Sequence, residues 1–168
     1  MIGAVVLAAG AASRFGSAKQ ALLLPRVLER VRAARSVGEL VVIAGAHPLS
    51  EMGARVIDCP DWELGAGASL RCGLAELGPE VEAAVVCLAD GPDLAPEAIE
   101  RVIDAWRDGA GDVVAASYGG TRGHPVLLAR PVWAAVPDDG ARELEPALVP
   151  CDDLGSPGDV DTPADLRD

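Results

Sequence analysis

The chain has 168 residues, 50% of them hydrophobic, and a formal charge of −12 at pH 7. That length suits a single domain over residues 1–168 with its own core, and aromatics at 3% make the core aliphatic. The acidic balance excludes a broad nucleic-acid footprint, which needs clustered Lys and Arg, and no stretch has the apolar length of a membrane span.

The first apolar run, Ala4 to Ala9, has the length and β-branched content of a buried strand. Gly10 and Gly16 bracket the loop after it, and Ser13, Arg14 and Lys19 add a hydroxyl and two cations. Exposed backbone N–H groups beside cations suit a triphosphate; an ordinary strand–loop–helix bend would use the same glycines. The loop is neither GxxxxGK[ST] nor GxGxxG. Gln20 to Arg35 follows as a helical pattern, with Leu22, Leu23, Val27, Leu28 and Val31 on one side. Pro25 is expected to end a first turn or to start the main helix.

Leu40 to Ala44 predicts a second strand ending at Gly45, and Arg55 to Cys59 a short third. Strands separated by helices imply a parallel sheet with right-handed crossovers, whose ligands bind beyond the carboxyl ends of the strands. The Gly10 and Gly45 loops both fall on that edge. Gly65 and Gly67 precede a helix expected over Ser69 to Leu77, whose start offers N–H groups and a positive dipole end, or simply a Ser69 cap. The apolar strand Glu82 to Leu88 runs into Ala89-Asp90-Gly91-Pro92. A carboxylate there suits Mg²⁺, which takes oxygen ligands; a turn aspartate before Gly-Pro reads equally well.

Pro96 to Asp108 predicts a surface helix with Ala98, Ile99, Val102, Ile103 and Trp106 inward, and Asp112 to Ser117 a strand. Tyr118 to Leu128 is a glycine-rich turn entering a strand and carries Arg122 and His124. Pro131 to Val136 reads as a short helix, Asp138 to Glu145 as a mobile polar loop, and Ala147 to Pro150 as a last short strand. In GDVDTPADL, Asp159 and Asp161 alternate across Val160, so an extended backbone points both carboxylates one way. The dispersed Cys59, Cys72, Cys87 and Cys151 form no CxxC pair and read as reduced thiols. With no charged leader before the first apolar run, the expected location is cytoplasmic.

LAAGAASRFGSAK resembles the opening signature LAAGxSxRxGxxK of the MobA-like nucleotidyltransferases, with Gly10, Arg14, Gly16 and Lys19 at matching places and Ala12 departing from it. GAGASLRCGL, LADGPDL, RGHPVLL and DVDTPADL resemble further segments of that family, most closely those of its molybdenum cofactor cytidylyltransferase branch. Gly91 departs from the usual residue, and the turn expected between the lysine and the first helix is shortened. The resemblance implies a three-layer α/β/α fold with a mostly parallel, Rossmann-like sheet, of the nucleotide-diphospho-sugar transferase type. It implies transfer of a nucleotide from CTP, or GTP, to a phosphorylated small molecule of the molybdopterin type, with pyrophosphate released and Mg²⁺ as cofactor. Arg14, Lys19 and Asp90 would be catalytic. Ala8, Ala9, Gly10, Ser13, Arg14, Lys19, Gly45, Gly67, Ser69, Arg122 and His124 would bind nucleotide or acceptor, and Asp90, Asp161 and Asp159 would hold the metal. A molybdoenzyme receiving the product is the implied protein partner. Transfer to a sugar phosphate or phospholactate, and a non-catalytic nucleotide- or cofactor-binding role, are the alternatives. The expected oligomeric state is a monomer.

Overall fold

Residues 1–8, 19–44 and 54–157 are described by the computed structural model of the chain, the side chains of 19–22 excepted. Strands β1 (Ile2–Ala8), β2 (Val37–Ala44), β3 (Arg55–Asp58), β4 (Ala83–Leu88), β5 (Val113–Tyr118), β6 (Thr121–Ala129) and β7 (Ala147–Pro150) form one sheet in the order β3-β2-β1-β4-β6-β5-β7. The helices are α1 (Lys19–Ala33), α2 (Ala66–Ala75) and α3 (Pro96–Arg107). β3, β2, β1 and β4 pair in parallel. β6 is antiparallel to both β4 and β5, and β7 is parallel to β5, so β6 alone among these strands is reversed.

The central strands are buried on both faces, which explains their continuous rather than alternating apolar runs. One face packs Val6, Val85 and Leu127 against Leu24, Leu28 and Val31 of α1 and Ile99, Val102 and Ile103 of α3. The other packs Val5, Ile43, Val86 and Leu128 against Leu70 and Leu74 of α2 and against Trp133. The architecture is therefore helix, sheet, helix, as expected. At about 25 cal/mol per Å², each fully buried Leu or Ile contributes roughly 1.5–3 kcal/mol, so an aliphatic core suffices without aromatic bulk.

Three local expectations change. Pro25 lies inside α1, with its residue exposed; the ring occupies the solvent side and costs the helix one hydrogen bond. The second helix starts at Ala66, not Ser69, because Gly65 at φ 130° turns the chain out of the preceding short helix Trp62–Leu64. The Ser69 N–H bonds back to the Gly65 carbonyl at 3.4 Å, so Ser69 is a first-turn residue rather than the cap.

The polar loop over 138–145 is not loose in the structure. Its start is stapled to α2: the Gly67 N–H donates to the Asp138 carbonyl at 2.8 Å, and Arg71 donates to the Val136 carbonyl at 2.5 Å and pairs with the Asp138 carboxylate. Its end is stapled to β6 through Arg122. Residues 136–144 thus form a strap between the two elements.

Candidate active site

The ligand edge is set by the ends of β1 and β4. Leu7 pairs with Leu88, and the Ala89 N–H donates to the Leu7 carbonyl at 3.0 Å. Asp90 follows at once, half-buried in the turn that ends β4. β4 and β1 pair in parallel, so Asp90 opens on the same edge as the end of β1, where buried Ala8 closes the strand. Because β6 runs backwards, its beginning rather than its end reaches this edge. That reversal brings Arg122 and His124 beside the tip of β4.

Two clefts flank this junction. The larger, about 290 Å³, lies on the α2 face between Leu7, Ala66, Leu70, Arg122, His124 and Arg142. The smaller, about 190 Å³, lies on the α3 face between Cys87, Gly91, Leu94, His124 and Pro157. Leu88, Gly123 and His124 line both. The larger is at the small end of ligand pockets, roughly 300–1,000 Å³. The chain leaving β7 returns here: the Asp93 N–H donates to the Pro157 carbonyl at 2.9 Å.

Gly67 and Ser69 both lie in the first turn of α2, whose Ala66 and Leu70 line the larger cleft. Ser69 is 1% exposed, and its hydroxyl has no hydrogen-bond partner among the described residues. A buried hydroxyl left unmet costs about 1–3 kcal/mol. Gly67 is a glycine of necessity, since a Cβ there would stand 1.6 Å from the Pro137 carbonyl oxygen.

Arg122 lines the larger cleft, but its guanidinium is committed to the strap. Nη1 donates to the carbonyls of Leu144 at 2.6 Å and Arg142 at 3.2 Å, and Nη2 to that of Ala141 at 2.7 Å. Burial lowers its pKa, with Glu145 opposing. His124 sits before a cis peptide bond to Pro125, and its carbonyl accepts the Tyr118 hydroxyl at 2.8 Å. Burial pushes the Tyr118 phenol up to about 12, so it remains a donor at neutral pH. Burial also pushes the Cys87 thiol, at the back of the smaller cleft, up to about 12. That thiol is a packing group, not a nucleophile.

The structure therefore brings Ala8, Gly67, Ser69, Asp90, Arg122 and His124 to one edge. Lys19 is the first residue of α1, with its side chain outside the description; Ala9, Gly10, Ser13, Arg14, Gly45, Asp159 and Asp161 lie outside the described residues. Among the described residues no group of three potential ligands could hold a metal. Sequence reasoning passed over Arg71 and Arg142. Arg71 stands inside the quoted SLRCGL segment, but its role depends on a strap 65 residues away. Among the described residues no helix is long and apolar enough to cross a membrane.

A family model described as the MobA-like NTP transferase domain matches residues 4–148. Among solved structures, Rv0371c from Mycobacterium tuberculosis H37Rv is 30% identical over 98% of this chain and 94% of that one, with a TM-score of 0.81. A structure described as Rv0371c in complex with manganese is 26% identical over 98% and 92% of the two chains, with a TM-score of 0.73. The 4-diphosphocytidyl-2C-methyl-D-erythritol synthase from Anaerococcus prevotii, at 14% identity over 98% and 94% and a TM-score of 0.74, shares the fold. No curated protein matches the chain.

Proposed function

From the premise that the chain belongs to the MobA-like NTP transferase family, we propose that it is a single transferase domain moving CMP from CTP to a phosphorylated small molecule of the molybdopterin type. The observation that carries this reading is the convergence of the end of β4, two residues before Asp90, the end of β1 and the start of α2 on one cleft at one edge of the sheet. The likeness of GAGASLRCGL supports Gly67 and Ser69 beside the nucleoside, since Ala66 and Leu70 from the same stretch of α2 line that cleft. The GAGASLRCGL and RGHPVLL segments favour CTP over GTP and the cofactor branch over sugar-phosphate acceptors.

An acceptor phosphate oxygen attacks the α-phosphorus of CTP; the bond from that phosphorus to the β-bridging oxygen breaks, and pyrophosphate leaves with the electron pair. The acceptor is already an anion, so no protein nucleophile is needed. Alignment is the main contribution, and oriented reactants can supply about 7–11 kcal/mol of the barrier. Arg14 and Lys19 balance charge on the leaving phosphates, and amides of the Gly10 loop hold them. Gly67 and Ser69 orient the nucleoside, while His124 and the strap face the acceptor.

Mg²⁺ fits the donor set. Asp90 offers a hard carboxylate oxygen at the edge, and Mg²⁺ is commonly held by one or two carboxylates plus phosphates and water. Asp161 and Asp159 are the further ligands, within reach because Pro157 is anchored beside Asp93 and four residues span up to about 14 Å. When bound, the ion withdraws charge from the phosphate oxygens. The manganese in the Rv0371c complex supports a divalent ion in this role.

The test is pyrophosphate release from CTP and from GTP with Mg²⁺, with and without molybdopterin or a sugar phosphate. Acceptor-dependent release from CTP is expected with molybdopterin, and Asp90→Ala should abolish it while leaving the fold intact. Release by the Asp90 variant at the wild-type rate refutes the metal assignment. Release only with a sugar phosphate moves the enzyme to that acceptor class.

A further inference from the structure

The Asp138–Glu145 region joins two walls of the larger cleft, and its middle is a wall itself. Asp139, Gly140, Ala141 and Arg142 line the cleft together with Leu7 and Leu70. Both ends are fixed: Gly67 and Arg71 hold residues 136–138, and Arg122 holds the carbonyls of 141, 142 and 144. A guanidinium that spends three N–H bonds on backbone has little left for a ligand. Arg142 is the converse. It is exposed, it lines the same cleft, and its guanidinium makes no hydrogen bond or ion pair with a described residue.

We propose that Arg142 is the anion contact for the acceptor, a phosphate monoester, and that Arg122 is a positioning residue acting through it. This rests on the transferase reading above. The start of α2 and the end of β1 are assigned to the nucleoside. Gly67 ties the strap to α2 at Asp138, whereas Arg122 of β6 ties it at Ala141, Arg142 and Leu144, so Arg142 belongs to the β6 side of the cleft, which is left for the second substrate. A guanidinium there can grip a phosphate monoester through paired hydrogen bonds. Asp139, on the same wall, excludes a second anion and offers an acceptor to N–H or O–H groups of the acceptor's body. Arg122 fixes where Arg142 stands by binding the Arg142 carbonyl itself and those on either side.

The experiment is calorimetric titration of the full chain. The nucleotide site is filled first with Mg²⁺ and the α,β-methylene analogue of CTP, which cannot transfer. A panel of phosphate monoesters is then added: a pterin phosphate, a hexose 1-phosphate and glycerol 3-phosphate. Wild type should bind at least one. Arg142→Ala should weaken that binding by about 10- to 100-fold, the scale of a charge-assisted pair, and Arg142→Lys should recover part of it. Affinity for the analogue should not move in either variant. Arg122→Lys should weaken the monoester too, and the double variant R122K/R142A should be no worse than Arg142→Ala alone, because one residue works through the other. Full monoester affinity in Arg142→Ala, or no binding of any monoester by wild type, overturns the proposal. Additive losses in the double variant overturn the positioning role of Arg122. Failure of wild type to bind the analogue overturns the transferase reading instead.

Discussion

Gly67→Ala tests whether the strap is seated on α2. The new Cβ would lie 1.6 Å from the Pro137 carbonyl oxygen, 2.7 Å from its carbon and 2.8 Å from the Asp138 carbon. These are backbone atoms and cannot swing aside like a side-chain tip. The strap must withdraw by roughly 2 Å to reach ordinary van der Waals contact. That breaks the 2.8 Å bond from the Gly67 N–H to the Asp138 carbonyl, which is worth about 1 kcal/mol. It also breaks the Arg71 contacts to Val136 and Asp138. Arg71 and Asp138 are 34% and 60% exposed, so screening holds their share to about 1–2 kcal/mol. Alanine's helical preference returns up to about 1 kcal/mol. The net loss is about 2 kcal/mol, or a melting temperature lower by about 4–8 °C in a chain of this size. Scanning calorimetry reads this directly, and trypsin cleavage after Arg142 should quicken in parallel. An alanine variant with wild-type melting and wild-type cleavage would refute the seating of the strap.

Three further outcomes follow from other parts of the molecule. Ser36 donates to Glu100 from its N–H at 2.8 Å and its hydroxyl at 2.5 Å; burial raises the Glu100 pKa, but these two bonds, with the nearby Arg107 and Arg35 charges, outweigh it and leave the value lowered. A carboxylate with a depressed folded pKa stabilises above its unfolded value, about 4.3, and loses that stabilisation as pH falls through the folded one. Glu100→Gln should therefore melt below wild type at pH 7, with the gap closing below about pH 4; a gap constant across that window refutes the assignment. Lys19→Ala should weaken CTP binding, seen as a smaller CTP–Mg²⁺ thermal shift, since stabilisation follows RT ln(1 + [L]/Kd); an unchanged shift removes Lys19 from the triphosphate site. Trp133→Phe should cost about 1 kcal/mol in urea denaturation, because the indole N–H donates to the Leu128 carbonyl at 2.9 Å and Arg130 stacks 4.2 Å from the ring; no change in midpoint would show that bond to be neutral.

What the chain order announces is the part fixed locally. The apolar runs of β1 and β4 stand out because both faces of those strands are covered. The periodicity of α3 placed Ala98, Ile99, Val102 and Ile103 inward, where they are buried, while Trp106 is only half-covered. Asp90 at a strand tip was legible for the same reason, since a buried strand must end where its apolar run ends. The reversal of β6 was not, because strand direction is settled by pairing with β4 and β5 and leaves no mark in composition. The strap was equally hidden. Its polar residues read as a loop, and the carbonyls that bind Arg122, Arg71 and Gly67 belong to every residue type alike.

The β5–β6 hairpin closes through only Gly119 and Gly120, at φ 61° and 79°, with Tyr118 paired to Thr121. Both backbones suit a tight primed turn, and a Cβ at either would meet nothing within 4 Å. Since β5 runs with β4, this hairpin tip lies at the same edge of the sheet as the end of β4 rather than at the far rim. The Gly119 N–H donates to the Asp152 carboxylate, so a longer turn inserted after Gly119 would extend from that edge with its anchor kept and no buried side chain displaced, which makes this two-glycine knuckle a place for insertion at little cost to the fold.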